Sequence, residues 1–246
     1  MNLLLTLVPI IAFLYASVGF GGATGYLAAM SFFDIPPRVM ASTALLLNIL
    51  VASISFESFY RAGHLRRDLL LLFLATSVPG AFLGGIFKIA DQTYVILLYT
   101  VLTFIAIRLL FFSKKQDDSQ PLRPVPPIGA LCIGLLIGLL SGMVGIGGGI
   151  FLSPLIILAR WATSKQASTI SAAFIVVNSI SALLARQVAG TFVINSFGLS
   201  LLPLGFLGAL AGSWVGTQRL NVIGLRRALG VVMSITISNY FFGFWK

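Results

Sequence analysis

The 246-residue chain is 58% hydrophobic and only 9% charged, with a mean hydropathy of +1.04. A soluble domain carries about 25% charged residues, so this composition excludes an ordinary soluble globule and specifies a multi-span membrane protein. The net charge of +10 does not signal nucleic-acid binding, because the basic residues sit in short loops between apolar segments. Cys132 stands alone, so no intrachain disulfide can form.

Residues 2–33 form the first apolar block. No Lys or Arg precedes it, so it lacks the basic start of a secretory signal and is read as mature structure. One straight helix of that length would span roughly 48 Å, well beyond a ~30 Å hydrocarbon core. The run Gly19-Phe20-Gly21-Gly22-Ala23-Thr24-Gly25 predicts two helical pieces instead. Asp34-Ile35-Pro36-Pro37-Arg38 ends the block, and its prolines pre-set the next helix. Span-length segments follow at 39–60, 69–87 and 92–112, with a basic loop from Arg61 to Asp68. The polar, Pro-rich stretch 113–127 reads as a cytoplasmic linker.

The plan then repeats. Residues 128–159 are a second broken block, carrying Ser141-Gly142-Met143-Val144-Gly145-Ile146-Gly147-Gly148-Gly149 and Pro154. Spans are predicted at 166–185, 193–218 and 225–245. A shift of 126 lays Gly19, Gly21 and Gly22 on Gly145, Gly147 and Gly148, Ala41-Ser42-Thr43 on Ala167-Ser168-Thr169, and Ser53 and Ser55 on Ser179 and Ser181. A shift of 124 lays Pro79, Phe82, Leu83 and Gly84 on Pro203, Phe206, Leu207 and Gly208. The expected units are a first membrane repeat over 1–112, the linker 113–127 and a second repeat over 128–246.

Lys and Arg positions choose between two threadings. If each broken block is a hairpin that returns to its own side, the halves are inverted. Arg61, Arg66, Arg67, Arg108, Lys114, Lys115, Arg123, Arg160, Lys165, Arg219, Arg226 and Arg227 then share one side, against Arg38, Lys88, Arg186 and Lys246, a split of twelve to four. If each block crosses once, the repeats are parallel and the split is nine to seven. The positive-inside rule favours the first. The expected fold is therefore an all-α integral membrane protein of two inverted repeats. Each repeat is a glycine-broken hairpin plus three transmembrane helices, giving eight to ten helical segments.

Inverted repeats with broken helices are a plan of secondary transporters, with the site between the breaks near the midplane. Helix N-termini offer unsatisfied N–H groups and a positive dipole end, which suit an anion. Candidate substrate-binding residues are Gly19, Gly21 and Gly22 in the first break and Gly145, Gly147, Gly148 and Gly149 in the second. Ser42, Thr43, Ser168 and Thr169 add hydroxyls, and Asn48 and Asn178 add amides inside apolar segments. For each hydroxyl the structural reading is a back-bond to its own helix. Glu57 lies inside an apolar segment four residues before Arg61. A local ion pair explains it, and proton coupling is the functional alternative. His64 falls in the basic loop and reads as solvated. No metal-ligand cluster, nucleophile–base pair or phosphate loop is evident, so neither a catalytic residue, a metal nor another cofactor is expected.

The run Gly138-Leu139-Leu140-Ser141-Gly142-Met143-Val144-Gly145-Ile146-Gly147-Gly148-Gly149, followed by Pro154, resembles the signature of the TauE/SafE sulfite exporter family, also described as the toluenesulfonate uptake permease family. The Ala-Ser-Thr elements at 41–43 and 167–169 resemble the family's Ala-Thr-Ser element with the hydroxyl residues exchanged. Arg61-Ala62-Gly63-His64 resembles its basic loop. The first half departs at Ala23, which stands in place of a third glycine. The resemblance implies movement of sulfite, organosulfonates or related small anions across the cell membrane. The expected partners are a small anion, a coupling ion such as a proton, the lipid bilayer and, as an option, a second copy of the chain. A passive anion channel and a non-transporting scaffold, whose glycines only pack helices, are the alternatives.

Overall fold

The computed structural model describes residues 2–33, 35–111, 121–218 and 234. Among them are nine helices and no strand: α1 (Asn2–Ala16), α2 (Ala23–Ser31), α3 (Pro37–Arg61), α4 (Arg67–Ile86), α5 (Asp91–Phe111), α6 (Pro127–Val144), α7 (Gly149–Leu158), α8 (Ser164–Val188) and α9 (Ser196–Gln218). Five of these, α3, α4, α6, α8 and α9, are long and apolar enough to cross a membrane. The expected span 225–245 apart from residue 234, most of the linker, Asp34 and the basic residues Lys114, Lys115, Arg219, Arg226, Arg227 and Lys246 lie outside the described residues.

Both apolar blocks break where the glycines fall. The second ends α6 at Gly145, whose φ of 86° lets the N–H groups of Gly145 and Ile146 turn back onto the Ser141 carbonyl at 2.8 and 3.2 Å. In the first, the break ends earlier than the glycine run suggests. Ala23, Thr24 and Gly25 already belong to α2, because the left-handed positions of the break, Gly19 at φ 85° and Gly22 at φ 94°, both precede them. Gly25 serves packing instead: a Cβ there would lie 2.6 Å from Ile11 Cγ2. The hairpin is closed by a 2.7 Å bond between the Tyr15 and Thr24 hydroxyls. At 1.5 Å per residue α1 is about 22 Å long and α2 about 14 Å, each short of the ~30 Å core.

The long helices pack through small residues. On α6, Gly134, Gly138 and Gly142 follow one another at four-residue spacing, and a Cβ on each would strike the α4 carbonyl oxygens of Phe73, Ser77 and Ala81 in turn. On α9, Gly208, Gly212 and Gly216 meet the carbonyls of Pro9 and Phe13 on α1 and of Ser17 just beyond it in the same manner. Both pairs therefore run parallel. The contacts of Gly198 with Thr43 and of Gly205 with Leu47 make α9 parallel to α3 as well. By contrast α3 and α8 are antiparallel. Ser42, near the start of α3, accepts a bond from Val193 beyond the end of α8, and Gly19 touches both Phe59, near the end of α3, and Ser168, near the start of α8. Each half thus braces its hairpin against the fourth helix of the other half, α1 on α9 and α6 on α4.

Loop contacts agree with these directions. Arg66 donates from Nη1 to the Trp161 carbonyl at 2.7 Å, and the Arg123 N–H donates to the Arg160 carbonyl at 2.8 Å. Arg66, Arg123 and Arg160 therefore gather at one end of the bundle. Helix α8 starts there with a capping box, in which Thr163 and Gln166 each bond the other's backbone N–H.

The glycine ladder should be sensitive to one methyl group. Gly138→Ala forces α4 and α6 apart and is expected to cost about 1–3 kcal/mol of stability, read as a lower thermal midpoint in detergent. Gly129→Ala, whose Cβ would have Pro126 Cγ at 3.5 Å as its nearest neighbour, should leave the midpoint unchanged or raise it.

Candidate functional site

The two breaks meet at Asn48. This residue lies on α3 and is fully buried. Its Oδ1 accepts the N–H of Ala23, the first residue after the first break, at 3.0 Å. Its Nδ2 donates to the carbonyl of Ile146, inside the second break, at 2.8 Å, and lies 3.5 Å from Ser179 Oγ. One amide thus joins both irregular segments, and in apolar surroundings each bond answers a backbone group that would otherwise be unpaired.

Glycines are required around that amide. A Cβ at Gly21 would fall on Asn48 Oδ1, and one at Gly147 would lie 2.7 Å from Ser179 Oγ and 2.8 Å from Asn48 Nδ2. Gly147 and Gly148 also hold φ of 77° and 76°, a left-handed conformation that side-chained residues rarely adopt. Ile175 of α8 closes the junction, since it would meet a Cβ at Gly21, Gly147 or Gly149.

Several backbone donors remain. Gly148 caps α7, and its carbonyl accepts from Phe151 and Leu152. Among the described residues no acceptor stands opposite the N–H groups of Gly147, Gly148, Gly149 or Ile150, nor opposite those of Gly21 and Gly22. Two sets of free donors at helix starts therefore lie on either side of Asn48, with the positive ends of α2 and α7 beside them.

The other sequence candidates divide. Gly19 packs on Ser168, and its counterpart Gly145 packs on Ala41, so each hairpin tip rests against the start of the other half's long helix. Ser42 and Thr169 bond back to the carbonyls of Arg38 and Lys165 at 2.9 and 3.0 Å, the local pattern available to any helical hydroxyl. Thr43 is buried against α9, where a Cβ at Gly198 would lie 2.7 Å from its Oγ1, and the hydroxyl has no partner. Asn178 does not join Asn48. Its Nδ2 bonds the Phe174 carbonyl of its own helix at 2.8 Å, and its Oδ1 is buried without a partner. Glu57 is exposed and bonds Arg61 at 2.6 Å, the local pair, with no contact to the junction. Ser179 and Ile175 are the junction residues that sequence reasoning did not single out. Ser179 counted there only as a repeat marker.

The match to known proteins covers this geometry end to end. The family model of the sulfite exporter TauE/SafE matches residues 4–240. The chain belongs to the TauE/SafE family. It is 30% identical over 229 residues to a probable membrane transporter protein, y4hK, of Sinorhizobium fredii, covering 92% of each chain. It is 24% identical over 230 residues to a probable membrane transporter protein of Haemophilus influenzae, covering 85% of this chain and 84% of the relative. A third probable membrane transporter protein, from Methanocaldococcus jannaschii, is 26% identical over 225 residues, with 85% and 82% covered. No solved structure matches the chain. The TauE/SafE chain is therefore a multi-pass protein of a membrane transporter family, which is not an enzyme class.

Removing the amide should be felt at both breaks. Asn48→Ala leaves the Ala23 N–H and the Ile146 carbonyl buried and unpaired, with an expected loss of about 1–3 kcal/mol in thermal unfolding. Asn48→Asp keeps the acceptor for Ala23 but loses the donor to Ile146, and should fall between wild type and Asn48→Ala or below both if the carboxylate stays charged. Asn178→Ala should be milder than Asn48→Ala, because its amide ties no second segment.

Proposed function

We propose that this TauE/SafE chain is a secondary transporter of a small anion, sulfite or a related sulfur oxyanion or organosulfonate, acting in the cell membrane. The observation that carries the reading is the convergence of the two glycine breaks. Both breaks, with the N–H groups of Gly147, Gly148, Gly149 and Ile150 in one and of Gly21 and Gly22 in the other left without an acceptor among the described residues, are tied to the same buried amide of Asn48. Preorganised backbone donors at two helix starts are a receptor for negative charge that needs no cationic side chain. The printed family description names sulfite, and that chemistry fits a compact oxyanion taken by several N–H groups at once. Energy would come from an ion gradient or the membrane potential, since the chain carries no nucleotide-binding motif.

The transport reading includes inverted repeats. The packing directions support them: α3 opposes α8, while α4 follows α6 and α1 follows α9. The bond between Arg66 and Trp161 supports the same threading, because parallel repeats would put those loops on opposite sides.

Two experiments test the proposal. In proteoliposomes given a panel of sulfite, sulfate, thiosulfate and sulfonates, one of them should accumulate against its gradient when a pH or potential difference is imposed. Flux that only runs downhill would make the protein a channel, and no flux from folded protein would refute transport of these anions. Gly147→Ala, which crowds Asn48 and Ser179, should lose most of that flux while the protein still elutes as a folded species. For topology, cysteines replacing Arg61 and Lys165 in a Cys132→Ser background should label from the same side of the membrane, and one replacing Lys88 from the other. Opposite sides for the first two would overturn the inverted arrangement.

A further inference from the structure

A second cluster of cations lies away from the glycine junction, at the opposite end of the bundle from Arg66 and Arg160. A pocket there is lined by Arg38 at the start of α3, Lys88 between α4 and α5, Asp91 and Tyr94 of α5, Arg186 near the end of α8, and Thr191 just beyond it. Met143, at the tip of the second hairpin, forms part of its wall. Three cations and one carboxylate line this pocket. Among the described residues the ion pairs are Glu57–Arg61 and Arg66–Asp68, so none of the three cations is paired, not even with Asp91.

Arg186 is the unusual member. Only 7% of it is exposed. Its Nη2 donates to the carbonyls of Gly142 and Met143 at 3.2 and 3.0 Å, which caps the C-terminal end of α6. Its Nε is buried without an acceptor. The carbonyl bonds account for part of the guanidinium and neutralise none of its formal charge. A charge buried near a membrane-spanning segment needs a counter-charge or water, and breaking such compensation is expensive. The second hairpin tip has no comparable mate in the first half. The shift of 126 places Tyr60 at the position of Arg186, and Tyr60 is exposed.

We propose that this pocket is a second anion site, distinct from the glycine junction, which takes a small oxyanion or the oxyanion of a lipid headgroup on Arg186, with Arg38 and Lys88 at its mouth. A guanidinium offers paired donors in a fixed plane that match sulfonate, sulfate or phosphate oxygens. Arg38 and Lys88 are exposed and set a positive potential that draws an anion in. Tyr94, whose hydroxyl donates to the Val144 carbonyl at 2.9 Å, fixes the hairpin tip on the same side of the pocket. The site therefore sits directly on the segment that leads into the second break. Its chemistry stands on these residues and does not depend on transport.

The test reads the pocket itself. Thr191→Cys in a Cys132→Ser background, in phosphatidylcholine nanodiscs, is labelled with an anionic sulfonatoethyl and a cationic trimethylammonioethyl methanethiosulfonate. The anionic reagent should react faster by roughly tenfold relative to a free thiol control, and Arg38→Gln with Lys88→Gln should lower that preference severalfold. Methanesulfonate or sulfate should slow labelling, and Arg186→Gln should abolish the protection. Arg186→Lys should restore part of it. Ile89→Cys serves as reporter if Thr191→Cys does not fold. Nanodiscs containing phosphatidylglycerol separate the sources: slow labelling there that free anions no longer change assigns the site to a headgroup, and unaltered anion protection assigns it to the soluble oxyanion. Equal rates for the two reagents with no protection would overturn the proposal. So would an Arg186→Gln protein that unfolds at lower temperature with protection intact, which would leave Arg186 as a cap for α6 only. Flux measured on the same variants keeps the two readings apart: protection lost in Arg186→Gln with flux intact leaves the pocket separate from the transport site, and absent protection before that substitution with flux intact rejects this pocket and not the transporter.

Discussion

The structure depends on a single side-chain amide in an apolar setting. Asn48 holds the start of α2 and the middle of the second break at once, through Ala23 and Ile146. Hydrocarbon cannot answer broken helical backbone, so irregular segments persist only where protein supplies their partners. The two hairpins come from different parts of the chain, and their breaks reach one helix residue that can both accept and donate. An amide does this where a hydroxyl is too short and a carboxylate has no donor. Gly21 and Gly147 lack side chains for a related reason, since any Cβ would displace that amide. Polar satisfaction and glycine content are thus two views of one constraint.

Around this centre the long helices meet through backbone approach. Lipid tails are as apolar as leucine, so burying apolar side chains gives little drive for helices to associate in a membrane, and close contact must come from packing. The Gly134, Gly138 and Gly142 series on α6 and the Gly208, Gly212 and Gly216 series on α9 supply it. The two interfaces are not identical. Gly84 of α4 meets Leu139, whereas Gly208, its counterpart by the shift of 124, meets Pro9, and the shift of 126 places Leu135 at Pro9. One helical turn of offset separates them. Arg186 adds a second asymmetry, because it caps the tip of one hairpin with a cation. The halves share a plan and differ in their chemistry.

Much of this was legible in the residues. Glycine runs inside blocks too long for one straight span announced the hairpins, and prolines at 36–37 marked a helix start that the structure keeps, while Pro127, read as the end of the linker, opens α6. Asn48 stood out as an amide in an apolar segment. Asn178 stood out equally and plays no such part. The shift of 126 separates them, placing Phe174 at Asn48 and Asn178 at Ala52, so the two amides were never counterparts. Ser42 has its counterpart in Ser168 and Thr169 in Thr43, yet Ser42 and Thr169 each bond back within their own helices. A matched hydroxyl reports shared ancestry of a helix turn as readily as a shared ligand. Ile175 and Ser179 could not be chosen, because an apolar helix in lipid shows no polar stripe to say which face looks inward. The four-residue spacing of glycines on α6 was the available signal for the ladder, and it identifies a packing face without naming the partner helix.

The pairing of α1 with α9 also sets an order of events during synthesis. Pro9, Phe13 and Ser17 lie at the beginning of the chain, and the glycines that receive their carbonyls lie about 200 residues later, an interval of roughly 10–40 s at ribosomal speed. The first hairpin must therefore wait in the bilayer or the insertion machinery with one flank uncovered. Asn48 reaches the ribosome exit much sooner and can hold the turn at Ala23 while the flank waits. The second hairpin has no such delay, because α4 is already in place when α6 arrives. The half made first is the one whose completion depends on the last described helix.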